Sequence, residues 1–103
     1  MLKPKEIEKL QSLMKKKDER LPIIFGALSD PRRCLIFRSF LKKDRLCVSD
    51  ISKTFHISMS LASQHLKILE ITGLLTKEKV GRSVYYTPRM KDELVTTIIN
   101  AIK

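Results

Sequence analysis

Between Leu46 and Thr87 the chain runs through a short amphipathic stretch, a two-residue break, a longer amphipathic stretch, and two alternating segments joined at a glycine. That order constrains the fold more than any other feature. In Val48–Phe55 the apolar residues Val48, Ile51 and Phe55 fall at helical spacing, with Asp50, Ser52, Lys53 and Thr54 between them, which predicts a short helix with one buried stripe. His56-Ile57 makes the break. Ser58 then stands where an N-cap is needed, because its hydroxyl can accept from a free amide of the next first turn, and Gly73 suits the position just past the helix end. The helix predicted between them, Met59–Thr72, carries Met59, Ala62, Leu66 and Leu69 as an inward stripe and Ser60, Ser63, Gln64 and Lys67 on another face.

Leu75–Lys79 alternates apolar and charged residues, Val80-Gly81-Arg82 supplies a turn, Ser83–Thr87 returns with Val84, Tyr85 and Tyr86, and Pro88 stops the strand. Two helices across a tight turn followed by a basic hairpin read as a winged helix-turn-helix, mainly α with a small β-hairpin. Small hydroxyls, an amide and a base can approach a groove floor without acid repulsion, so the polar face of the second helix is the candidate reader of DNA. The same face also suits a merely solvated helix. Lys77, Lys79 and Arg82 near the hairpin tip favour the first reading, since ammonium and guanidinium groups neutralise phosphates or enter a minor groove.

The 103 residues suit a single domain that gains from a partner's surface, and the formal charge of +10 favours a polyanionic partner without naming one. Two cysteines with no apolar leader point to a reducing, cytoplasmic setting. The longest apolar runs, Leu21–Leu28 and Cys34–Phe37, fall far short of the roughly 20 residues that cross a bilayer. No catalytic constellation is present: there is no Ser/His/Asp set, no paired carboxylates and no glycine-rich phosphate loop, and no cofactor is called for.

Outside the reading head, Lys3–Asp18 places Ile7, Leu10 and Leu13/Met14 at helical spacing, with the Lys15-Lys16-Lys17 run as a solvated end. Leu21–Leu28 reads as a short buried helix. Asp30 and Pro31 open another, Pro31–Leu41, whose Cys34, Leu35, Ile36, Phe37, Phe40 and Leu41 predict the centre of the core, and Lys42–Arg45 is the loop out of it. Residues 91–102 form the last helix, with Leu94, Val95, Ile98, Ile99 and Ile102 crowding one side. The first helix (1–20) and the last are expected to build a two-fold interface through Ile7, Leu10, Met14, Leu94, Ile98 and Ile102; the alternative is that both pack on their own core.

With these residues in hand the chain resembles the ArsR (ArsR/SmtB) family of small bacterial and archaeal transcriptional repressors. The resemblance rests on Ala27-Leu28-Ser29-Asp30-Pro31-Arg32-Arg33, on Ser60 through Leu69 followed by Gly73-Leu74-Leu75, and on Gly81-Arg82-Ser83-Val84-Tyr85-Tyr86. It implies a dimer that holds a partly palindromic operator and releases it on an unknown signal, or represses without any ligand. Carried over by position, Ser60, Ser63 and Gln64 would meet base edges, His65 and Lys67 the backbone or an adjacent base, and Arg82 the minor groove. Ser58, Lys79 and Tyr85 complete the DNA-binding set. Two roles stay open for His65, a DNA contact and a hydrogen-bonded packing role. One of Tyr85 and Tyr86 is expected to pack inward and the other to face phosphate.

The family's thiolate metal site places two cysteines two apart before the first reading-head helix, whereas this chain has Cys47-Val48-Ser49; its other metal pattern uses Asp, His and Glu on the last helix, which here has no histidine. Both metal sites are therefore expected to be absent. Cys34 and Cys47 remain as a thiol sensor pair, set against the plainer role of Cys34 as a small buried hydrophobe. A homodimeric operator-binding repressor without enzymatic activity is the function implied. The rival reading is a winged-helix module for protein assembly, whose polar stripe meets another protein and which leaves no footprint on DNA.

Overall fold

The computed structural model describes residues 1–15 and 19–103. Six helices and one hairpin follow in the order α1 (Pro4–Gln11), α2 (Arg20–Leu28), α3 (Pro31–Ser39), α4 (Val48–Phe55), α5 (Met59–Ile71), β1 (Leu75–Val80), β2 (Ser83–Pro88) and α6 (Glu93–Ile102), with a 3₁₀ turn at Ser12–Lys15 after α1.

Local chemistry sets most of the boundaries. Asp30 caps α3 by accepting from the Arg33 N–H at 3.0 Å, and Pro31 sits where a missing N–H costs nothing. Asp50 reaches back to accept from the Cys47 N–H at 2.8 Å, which closes the first turn of α4 and holds the Asp50 carboxyl below its usual range. His56 ends α4 in the left-handed region at φ 54°, and the turn is tied by the Ile57 N–H donating to Ser52 C=O at 3.1 Å and Ser52 Oγ donating to Ile57 C=O at 2.6 Å. Ser58 Oγ then accepts from the Leu61 N–H at 3.0 Å. At the far end of α5 the Gly73 N–H donates to Glu70 C=O and the Leu74 N–H to Leu69 C=O, both at 3.0 Å. This is a Schellman stop, and the φ of +87° at Gly73 is the conformation that it demands.

β1 and β2 pair antiparallel from Leu75↔Pro88 to Val80↔Ser83, leaving Gly81-Arg82 as a two-residue loop. Gly81 at φ +62° in the first loop position fits a type II′ turn. A third element joins the hairpin: Leu46 bridges Tyr86 through two backbone hydrogen bonds of 3.1 and 2.8 Å. Asp92 caps α6 by accepting from the Leu94 N–H at 3.0 Å and also pairs with Arg20, so the start of α2 is fastened to the start of α6.

One core runs through the molecule, from Ile24 of α2 and Ile36, Phe37 and Phe40 in and after α3, through Ile51, Ala62, Leu66 and Leu69 of the two reading-head helices, to Leu74, Leu75, Tyr86 and Val95, Ile98 and Ile99 of α6. Several expectations change against it. The first helix is shorter than Lys3–Asp18, none of its residues is buried, and Lys16, Lys17 and Asp18 lie outside the described residues. α2 is not a buried helix: Ile24 and Ala27 point inward while Leu21, Ile23 and Phe25 are exposed. α3 is central, yet Leu35 is exposed on its outer side. Met59, assigned to the inward stripe, is exposed at the first position of α5, and the buried side of the helix begins at Ala62.

Candidate nucleic-acid interface

The faces of α5 separate as its spacing dictates. Ala62, His65, Leu66 and Leu69 are buried, whereas Ser60, Ser63, Gln64 and Lys67 are exposed. Residues three and four apart share one side of a helix, so these four polar side chains form one outward strip. Packing of α4 and β1 on α5 leaves that strip open to solvent. Ser58 is exposed at the mouth of the helix, with one lone pair already engaged by the Leu61 amide. Met59 beside it is an exposed apolar residue that periodicity alone had turned inward.

His65 leaves the outward set. It is 7% exposed, and its Nδ1 faces Arg33 of α3, whose Nε donates to it across a long 3.4 Å. Arg33 Nη1 also donates to Ala27 C=O at 3.1 Å, which links the ends of α2, α3 and α5. Of the two roles open to His65, packing is the one its burial supports. Burial, then the Arg33 charge, hold its pKa below the usual histidine value despite the opposing pull of Asp30. A depressed folded value means that the unfolded chain takes up a proton first, so this contribution is intact above the unfolded pKa, about 6.5, and is lost as pH falls through the folded one. Urea melts between about pH 7 and about pH 5 are expected to show falling stability, and His65→Gln is expected to flatten that fall. The capping carboxylates Asp30, Asp50 and Asp92, all held below the ordinary carboxylate value by the groups that donate to them, act in a separate, more acidic window.

The hairpin sorts its cations. Lys77 is 3.8 Å from Glu70 Oε1 and lies over the Tyr86 ring at 5.9 Å, so it pins the hairpin to the end of α5. Among the described residues no salt bridge engages Lys79 or Arg82, and both are exposed. Tyr86 is buried and Tyr85 is half-buried, the division expected of neighbours on a strand. Sequence reasoning missed Arg45, read as loop, whose guanidinium stacks over Tyr85 at 4.9 Å. No local signal marks it, because the bridged segment is the single residue Leu46, too short to show a strand period.

The proposed dimer residues split. Ile7, Leu10 and Met14 are exposed, at 42%, 53% and 86%. Ile98 is buried in the chain's own core, and Leu94 and Ile102 are packed against that core, so the stripe of α6 is mostly covered within one chain. Cys34 and Cys47 are free, half-buried thiols. Among the described residues no group of three or more His, Cys, Asp or Glu is placed to hold a metal, and no helix is long and apolar enough to cross a membrane.

Comparison with known proteins agrees with this architecture. Residues 30–77, from the start of α3 into β1, match the family described as bacterial regulatory protein, arsR family. The arsenical resistance operon repressor of Bacillus subtilis strain 168 is 36% identical over 76 residues, covering 74% of this chain and 70% of that one. A protein named transcriptional repressor SmtB homolog, from Synechocystis sp., is 38% identical over 69 residues, covering 67% of this chain but 52% of its own length, so the match spans about half of that relative. In structure, reduced HlyU from Vibrio cholerae N16961 superimposes with a TM-score of 0.72 at 28% identity, covering 86% of this chain and 90% of that one. With residues 30–77 matching the family and a relative in it 36% identical over most of both lengths, the chain belongs to the arsR family of bacterial regulatory proteins.

Proposed function

We propose that the chain is a cytoplasmic, sequence-specific repressor that binds duplex DNA as a homodimer and performs no catalysis. The observation that carries this reading is the outward strip of α5, Ser60, Ser63, Gln64 and Lys67, together with Lys79 and Arg82 of the wing, which are exposed and make no salt bridge among the described residues. One α5 per subunit would enter each of two successive major grooves, about 34–36 Å apart, with the wings along the flanks. Ser60, Ser63 and Gln64 read base edges, Gln64 through the two-pronged geometry that suits adenine; Ser58, Lys67, Lys79 and Tyr85 position the protein on the backbone; Arg82 enters the minor groove. Ile7, Leu10, Leu13 and Met14, with Leu21, Ile23 and Phe25 of α2, leave large apolar side chains in water. A second copy would cover them, which supports a two-fold interface mainly at the amino-terminal helices.

Selection of duplexes from a random pool tests the reading. A recovered half-site motif is expected, with Gln64→Ala costing about 1–3 kcal/mol at one base position and relaxing preference there. Arg82→Ala is expected to weaken all sequences alike and to lower the salt slope by about one. Recovery of no motif, with no footprint on any promoter fragment, would leave the protein-assembly reading in its place.

A further inference from the structure

We propose that Arg45 is the positioning residue of the wing, a clamp that holds the hairpin in place so that Lys79 and Arg82 are presented to DNA. The inference rests on the DNA reading of the wing given above. The hairpin register sets Glu78 directly opposite Tyr85. Arg45 engages both members of that rung at once: its guanidinium lies 4.9 Å from the Tyr85 ring centroid, and its Nη1 is 3.5 Å from Glu78 Oε1. One side chain from outside the hairpin therefore ties its two strands to the segment leaving α3.

The backbone beside Arg45 shows why the clamp matters. Leu46 pairs with Tyr86, and Thr87 Oγ1 donates to the Asp44 carbonyl at 2.9 Å, so the base of β2 is already held. Past Tyr86 toward the tip, no further backbone partner meets the strands among the described residues, and a bare two-stranded ribbon is marginal in water. Arg45 extends the support by one rung, to the point beyond which Lys79 and Arg82 project. Its charge faces a carboxylate and an aromatic ring, so it is engaged before any phosphate arrives. Arg45 and Glu78 are each about half exposed, at 48%, and an exposed pair of this kind is too weak to move global stability. Its effect belongs in the local order of a marginal hairpin.

Amide hydrogen exchange on the full chain without DNA tests the clamp, because a residue that acted only by touching phosphate would leave the free protein unchanged. In Arg45→Ala, exchange at Glu78–Tyr85 is expected to quicken about tenfold while amides of Ile36 and Leu66 keep their rates, and Arg45→Lys is expected to restore most of the protection, since an ammonium serves both partners. Glu78→Gln breaks the ion pair without touching the Arg45–Tyr85 contact and is expected to quicken exchange at Tyr85 as well. On a duplex selected by the parent chain, Arg45→Ala is expected to lose affinity several-fold with the salt slope unchanged. Unchanged exchange in both Arg45→Ala and Glu78→Gln, with a slope lowered by about one, overturns the proposal and makes Arg45 a phosphate contact. Should the parent chain bind no duplex, the DNA reading falls, while the exchange result still decides whether Arg45 holds the hairpin.

Discussion

Raising salt from about 50 to about 200 mM is expected to weaken binding to the preferred duplex by about a thousandfold. The magnitude follows from counting the cations of the α5 strip and the wing that make no salt bridge among the described residues. Lys67, Lys79 and Arg82 are exposed and make no salt bridge among the described residues, whereas Lys77 and Arg45 are engaged by Glu70 and Glu78. Two subunits then bring about six cations to the backbone, each contributing about −0.9 to the slope of log affinity against log salt, and a fourfold rise in salt costs about three decades. Fluorescence anisotropy across the salt series gives the slope directly. A flat response would contradict the phosphate contacts, and a slope near −9 would mean that Lys77, Arg45 or cations of α3 and α4 also reach DNA.

Phe37→Ala is expected to lower folding stability by about 3–5 kcal/mol, the range for truncating a buried aromatic that leaves a cavity. Phe37 is fully buried in the last turn of α3 and belongs to the cluster that joins α2, α5 and α6. α3 is held at its start by the Asp30 cap and the Arg33 contacts with Ala27 and His65, which limits how far this helix can shift to fill the space. For a domain of this size the loss is a large fraction of the whole, so the urea midpoint falls steeply. Lys79→Ala at the exposed wing is expected to stay within about 0.5 kcal/mol of the parent, which separates core damage from loss of binding.

The difference between these two substitutions reflects how much of each residue's role is written locally. Val48–Phe55 is a helix because its apolar residues fall three and four apart, and the same spacing divides α5 into a buried side and a polar strip. Ser58, Asp30 and Gly73 mark helix ends because one side-chain oxygen or one absent Cβ answers a backbone need within a few residues. Gly81 marks the turn of the wing for the same reason. Spacing failed where a residue's environment is made by distant chain. Met59 lies in phase with the inward stripe yet stands beyond the core, and Leu21, Ile23 and Phe25 are as apolar as any core residues yet face water.

Sequence by itself determined the kinds of element, their caps and turns, and the polar strip of α5, because helix period, capping and turn chemistry act over a handful of adjacent residues. Only the tertiary structure decided that His65 turns in to meet Arg33, that α6 is covered by its own chain while α1 is not, and that Leu46 and Arg45 fasten the wing. Those outcomes depend on contacts between residues some thirty or more positions apart, such as Arg33 with His65 and Arg45 with Tyr85. No local period encodes such contacts; they follow from which surfaces meet when the helices pack.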